Sequence, residues 1–181
     1  FNQFDLKTLD IQPENILFDK AEFVVGINDL RGIEKQVNLN WDKEKLSFNP
    51  GVPSNDVTGS GINASLAIDP NADKIYNFDF SLDLKGSQKL YFTPVGKVTD
   101  IDLSSEWPNP SFNGAFLPDN REVSEEGFNA NWNVLHLNRN YPQIWASSRH
   151  SIEHSAFGID LLLPVDNYQK SYRSIRYAIL F

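Results

Sequence analysis

The chain has 181 residues, with 24 acidic residues against 16 basic ones, a formal net charge of −8, and neither cysteine nor methionine. Without Cys, thiol redox catalysis and Cys-based zinc sites are excluded. The acidic balance argues against a broad phosphate-binding surface, and so against nucleic acid as a partner. With 40% hydrophobic and 22% charged residues, the chain is globular rather than disordered.

In chain order, Pro13 to Ala21 offers a weakly amphipathic helix. Phe23, Val25 and Ile27 then alternate with other residues as in a strand. Tyr76, Phe78, Phe80, Leu82 and Leu84 alternate with polar residues, which predicts a strand with one apolar and one wet face. The same pattern covers Thr99, Ile101 and Leu103, and then Phe128, Ala130, Trp132 and Val134. It returns at Phe157, Ile159, Leu161 and Leu163. Turn clusters such as Asn49-Pro50-Gly51, Asp69-Pro70-Asn71, Lys85-Gly86-Ser87 and Pro118-Asp119-Asn120 separate these runs. Many short strands at such spacing predict a mainly β fold, an antiparallel sandwich or barrel. One helix closes the chain. Asp166 caps it, with Gln169 three residues on, and Tyr168, Tyr172, Ile175 and Ile179 share one face.

The chain ends on Tyr177-Ala178-Ile179-Leu180-Phe181, five apolar or small residues in a row. Two readings stand: a last element docked on the core, or the first residues of a membrane span. A chain without Met reads as a fragment or a processed product.

Chemistry-bearing patterns are few. His150-Ser151-Ile152-Glu153-His154 has the spacing of the inverted zinc-hydrolase motif. That chemistry needs both imidazoles on one helical face and a third ligand. Ser147, Ser148, Ser151 and Ser155 around it suit a loop instead, so a metal hydrolase at His150 and His154 is a remote alternative, adventitious metal binding a nearer one, and a solvated loop the preferred reading. Asp69 to Asp73 begins like a calcium loop but has Lys74 where Gly is required and Phe80 where Glu is, and reads as a turn. The carboxylate pairs Asp79 with Asp83 and Asp100 with Asp102 fall on wet strand faces, where they serve solubility. His136 continues the apolar face of Phe128 to Val134 and reads as a hydrogen-bonded core residue. Trp132 is a core residue by alternation. Trp107 and Trp145 lie in irregular segments beside prolines; each either plugs the end of the sandwich or, exposed, meets a sugar or protein partner. No cofactor or metal is expected.

The run Leu103-Ser104-Ser105-x-Trp107-Pro108-x-Pro110-Ser111-Phe112-x-Gly114-x-Phe116-Leu117-Pro118 resembles the inner membrane protein CreD family. So do Gly127-Phe128-x-Ala130-x-Trp132 and Leu137-x-Arg139-x-Tyr141-Pro142-Gln143. Gly86-Ser87-x-x-Leu90-x-Phe92-x-Pro94-x-Gly96 agrees upstream, and Phe157-Gly158-Ile159-Asp160-x-x-x-Pro164-Val165-Asp166-x-Tyr168 downstream. The similarity is dense from about residue 78 to 181 and looser from Leu30 to Gly51.

The resemblance implies a bacterial inner-membrane protein with a large periplasmic domain between an N-terminal span and a C-terminal group of spans. It is tied to envelope integrity and to the Cre two-component stress response. It assigns no catalytic residues. Residues 1–165 are then a periplasmic β domain, as one body or as two sheet-forming halves of about 1–70 and 71–165. Residues 166–181 are a juxtamembrane helix leading into a span, and Lys170, Arg173 and Arg176 there suit anionic headgroups. Both ends should emerge on the membrane side. The expected function is a non-catalytic interaction or structural module, with an envelope protein or glycan as partner. The alternative is a carbohydrate or peptidoglycan-fragment binder using Trp107, Arg139 and Trp145.

Overall fold

The computed structural model describes residues 15–54, 57–69, 75–84, 89–146 and 150–161. The closing helix expected over 166–181, Leu163 and most of the Asp69 to Asp73 loop lie outside the described residues. The described chain is mainly antiparallel β. Its strands run β1 (Glu22–Gly26), β2 (Asn38–Trp41), β3 (Glu44–Ser47), β4 (Asn49–Pro50), β5 (Gly61–Ser65) and β6 (Phe78–Phe80). They continue with β7 (Lys89–Phe92), β8 (Val98–Ser105), β9 (Pro110–Gly114), β10 (Asn120–Ser124), β11 (Gly127–Leu135) and β12 (Phe157–Leu161). Among the described residues no helix is long and apolar enough to cross a membrane.

The strands form four three-stranded sheets, ordered β1-β5-β4, β3-β2-β6, β10-β11-β8 and β7-β12-β9. The first two contribute to one apolar cluster, with Leu39, Ala64 and Leu66 at its centre and Phe23, Trp41, Phe48 and Phe80 packed around it. The last two contribute to a second. Phe128, Ala130, Trp132 and Val134 come from β11, Phe157 and Ile159 from β12, and Phe92, Ile101 and Phe112 pack against them. Alternation explains β11 well: Phe128, Ala130, Trp132 and Val134 are buried, while Asn129, Asn133 and Leu135 on the other face are exposed. Trp132 is almost wholly buried, and its indole Nε1 donates to the Phe116 carbonyl at 3.3 Å. That bond lets a polar atom sit in an apolar core.

β12 is the central strand of its sheet, with Gly158 facing Tyr91 on one side and Asn113 on the other. A Cβ on Gly158 would lie 2.0 Å from the Leu90 carbonyl oxygen. Only glycine permits that approach. The β2–β3 hairpin turns at Asp42, whose φ is +53°. Its backbone N–H donates to the Asn77 carbonyl at 2.7 Å, and its Oδ1 accepts from the Asn77 N–H at 2.8 Å. Asp tolerates this left-handed backbone better than bulkier residues do.

Three expectations are corrected. The strand predicted from Tyr76 to Leu84 shrinks to Phe78–Phe80, because only Leu39–Trp41 of β2 is there to pair with it. Leu84 forms an isolated bridge to Ile33, and Phe78 is 52% exposed. The helix expected from Pro13 to Ala21 is, in its described part, a 3-10 turn at Phe18–Lys20. Leu66 donates to the Ala21 carbonyl at 2.8 Å, which draws the chain into extended pairing instead. His136 has the expected hydrogen bond, its ring Nδ1 lying 3.3 Å from the Lys97 carbonyl, but it is half-buried rather than a core residue. β11 ends at Leu135, and His136 opens a 3-10 turn with its backbone N–H donating to the Lys97 carbonyl at 2.8 Å.

Candidate functional site

Beyond β11 the chain makes one 3-10 turn, His136–Asn138, held by Asn138 Oδ1 accepting from the Leu135 N–H at 3.0 Å. It then runs through a series of bends from Arg139 to Ile144. Arg139, Tyr141 and Gln143 meet the turn that links β7 to β8 at Pro94, Val95 and Gly96, and Trp145 meets the Tyr141 ring. Arg139 is 8% exposed. Its Nη2 donates to the Val95 carbonyl at 3.2 Å, to the Gly96 carbonyl at 3.3 Å, and to Gln143 Oε1. Gln143 Nε2 also donates to the Val95 carbonyl, at 2.8 Å. The guanidinium carbon stands 4.5 Å from the centroid of the Tyr141 ring, a cation–π contact.

Tyr141 is buried and ties three segments together. Its hydroxyl lies 2.6 Å from the Pro94 carbonyl and 2.6 Å from Ser155 Oγ, and Ser155 Oγ donates to the Ile152 carbonyl at 2.7 Å. Two hydroxyl protons thus serve three short contacts, so the Tyr141 proton is shared between Pro94 and Ser155. Trp145 meets the Tyr141 ring edge-on at 6.2 Å and the His150 ring edge-on at 5.2 Å. An arginine, a tyrosine, an amide, an indole and an imidazole therefore converge on one loop cluster. Arg139 has no carboxylate partner among the described residues, and its Nε and Nη1 are buried without an acceptor. The cluster can offer charged hydrogen bonds and aromatic faces.

The structure brings Arg139 and Trp145 together through Tyr141. Trp107 is placed elsewhere: it is half-buried and packs against the cluster around Trp132 and Phe157. His150 and His154 do not share a helical face, since His154 sits in a three-residue 3-10 turn, Glu153–Ser155, and His150 precedes it in irregular chain. Among the described residues no group of three or more His, Asp and Glu is arranged to hold a metal ion. The carboxylates paired by sequence take other partners. Asp79 accepts from Asn40 Nδ2 at 2.9 Å, Asp83 pairs with Lys35 at 2.7 Å, and Asp100 accepts from Asn133 Nδ2 at 2.5 Å. The Asp83 pairing holds the Lys35 ammonium above the ordinary lysine range.

A shallow groove of about 530 Å³ crosses the β10–β11 hairpin and the end of β8, with Glu106, Glu122 and Glu126 among its lining residues. A second, of about 370 Å³, adjoins it along Asp102, Asn120 and Asn131. Sequence reasoning missed Tyr141 and Gln143. Both stand in the run Leu137-x-Arg139-x-Tyr141-Pro142-Gln143, whose family resemblance was the signal available for them.

Residues 1–181 match the family described as inner membrane protein CreD. Inner membrane protein CreD of Escherichia coli (strain K12) is 32% identical over 180 residues, which cover 98% of this chain and 40% of that relative. No solved structure matches the chain. The match runs end to end on this side and spans less than half of the relative's length, and on it the chain belongs to the inner membrane protein CreD family.

Proposed function

We propose that the chain is the periplasmic-side body of a CreD-like inner-membrane protein and acts there as a non-catalytic interaction module serving envelope integrity and the envelope-stress response. One observation carries this reading: an end-to-end match to an inner-membrane family falls on a described chain that is mainly β. Each pair of sheets contributes to its own apolar cluster, which supports a sandwich-like reading. Such bodies present loops at their ends for recognition. The Arg139 cluster is one such loop, braced by hydrogen bonds to the turn before β8 rather than opening on a cleft. The glycan-binding alternative keeps Arg139 and Trp145 but loses support at Trp107, which packs with the apolar core.

The test is topological. The chain has no cysteine, so Glu125→Cys, on the exposed β10–β11 turn, supplies a unique thiol within it. The full-length protein carrying that change, with any cysteine outside this chain replaced, is treated in intact cells with a membrane-impermeant maleimide. Labelling without lysis supports the periplasmic placement. Labelling only after lysis overturns it.

A further inference from the structure

A buried guanidinium without a carboxylate is costly, because a charge taken out of water needs a counter-charge or a full set of hydrogen bonds. Arg139 has neither. Its Nη2 serves two carbonyls and one amide oxygen, all neutral, and its Nε and Nη1 are buried with no acceptor. The two described segments that hold it carry no carboxylate. In a chain with 24 acidic residues, none falls within residues 93–98 or 135–146. Glu153, in the adjoining turn, is exposed, and the other ring against Trp145 is the basic imidazole of His150. The apolar side chains beside the same turn are open to solvent: Val95 is 52% exposed, Val98 53% and Leu137 78%. Strand register and the His136–Lys97 backbone bond place the Val98 and Leu137 segments side by side.

We propose that Arg139 is the receptor for a carboxylate carried by a ligand, with one of its two unpartnered nitrogens, Nε or Nη1, as the donor and the Val95–Leu137 rim as the apolar shoulder of the site. A carboxylate fits better than a phosphate on charge. It carries one negative charge, which neutralises one buried cation, whereas a phosphate near neutral pH brings more charge to desolvate. Nε and Nη1 are shielded in the unliganded protein, so an entering group must displace the side chains that cover them. This proposal deepens the interaction-module reading by naming the chemistry of the recognised group. It is tested separately from membrane placement, because binding is measured on purified protein.

The probe is acetate, titrated into the ¹⁵N-labelled full chain, with sodium chloride at matched ionic strength and inorganic phosphate as parallel arms. The Arg139 Nε–H and Trp145 Nε1–H resonances report the site. Saturable displacement of the Arg139 Nε–H signal by acetate, not by chloride, supports the proposal. Arg139→Gln should then weaken acetate binding about tenfold or more. No saturable shift in the unmodified protein overturns it, and so does equal acetate affinity in Arg139→Gln. A response to phosphate without one to acetate overturns the carboxylate assignment. The unmodified chain alone decides the matter if Arg139→Gln fails to fold.

Discussion

Tyr141 and Ser155 hold their side-chain oxygens 2.6 Å apart in the buried interior, although they are 14 residues apart in sequence. The contact closes the loop between β11 and β12 against the turn before β8, since the same tyrosine oxygen also meets the Pro94 carbonyl. The Arg139 cluster rests on this clasp, because its π partner is the same ring.

Removing one hydroxyl tests the clasp. Tyr141→Phe leaves the Pro94 carbonyl and one side of Ser155 Oγ without a partner in a dry setting. The expected loss is about 1–3 kcal/mol in urea unfolding. Tyr141→Phe combined with Ser155→Ala should cost less than the sum of the single changes, because the two hydroxyls share one network. Strict additivity in the double-mutant cycle would show that the hydroxyls act independently.

Trp132 anchors the cluster shared by β11 and β12, meeting the Phe112 ring at 5.9 Å and the Phe157 ring at 5.8 Å. Trp132→Ala removes that packing and leaves the Phe116 carbonyl without its indole donor. The expected cost is about 3–5 kcal/mol, read from denaturant midpoints and from collapse of the near-UV circular dichroism. Trp107→Ala, at a half-buried position on the same cluster, should cost clearly less.

Gly158 of β12 stands directly against the Leu90 and Tyr91 backbone of β7. Gly158→Ala should destabilise by roughly 1–3 kcal/mol or more, because a Cβ there collides with backbone that cannot swing aside. The measured quantity is unfolding free energy, together with amide exchange in β7 and β12. Unchanged exchange protection in both strands would contradict the close approach of the Leu90 carbonyl to Gly158.

Tyr91 supplies a pH prediction. Desolvation first, and then the charge of Asp160, push its phenol above the ordinary value of 10.0. Asp160 Oδ1 accepts from the Tyr91 hydroxyl at 3.2 Å. A phenol raised in the folded state is ionised more readily in the unfolded one. Its contribution is therefore intact below 10.0 and is lost as pH climbs from there through the raised native value. Ultraviolet difference titration of the protein against Tyr91→Phe should show this late-titrating tyrosine. Asp160→Asn should move it only part of the way down, since desolvation, the larger cause, remains. A tyrosine at position 91 that titrates at the ordinary value would refute the Asp160 contact.

Asp29 caps the 3-10 turn Leu30–Gly32, accepting from the Arg31 backbone N–H at 3.1 Å and from its guanidinium at 2.9 and 3.0 Å. The Arg31 side-chain hydrogen bonds, and then its backbone N–H, hold the carboxyl below the ordinary aspartate range. The stabilisation is present above the unfolded pKa and fades as pH falls through the lowered native one. Both side chains are exposed, so Asp29→Asn should change global stability little while loosening Arg31 and Gly32, as amide exchange in that turn would reveal.

Legibility in the sequence followed burial geometry. Phe128, Ala130, Trp132 and Val134 announce β11 because a half-buried strand writes its two faces into alternate residues. Phe157 and Ile159 announce β12 for the same reason. Tyr76 to Leu84 carries an equally regular pattern, yet only three residues are strand, since alternation describes one chain and pairing needs a second of matching length. The family, too, was readable, because motifs such as Trp107-Pro108-x-Pro110 are contiguous in the chain.

The Arg139 cluster was legible only in fragments. Arg139 and Trp145 stood out as residue types, and the structure supplies Tyr141 between them and Pro94, Val95 and Gly96 beneath. The acceptors of Arg139 on that turn lie 43 and 44 residues earlier, too far for any local pattern to encode. The sequence by itself determined the strand faces, the acidic surface and the family, because each is a property of neighbouring residues. The tertiary structure alone decided that a cation is walled in beside a tyrosine with donors to spare, because burial and hydrogen bonding between distant segments exist only once the chain has closed on itself.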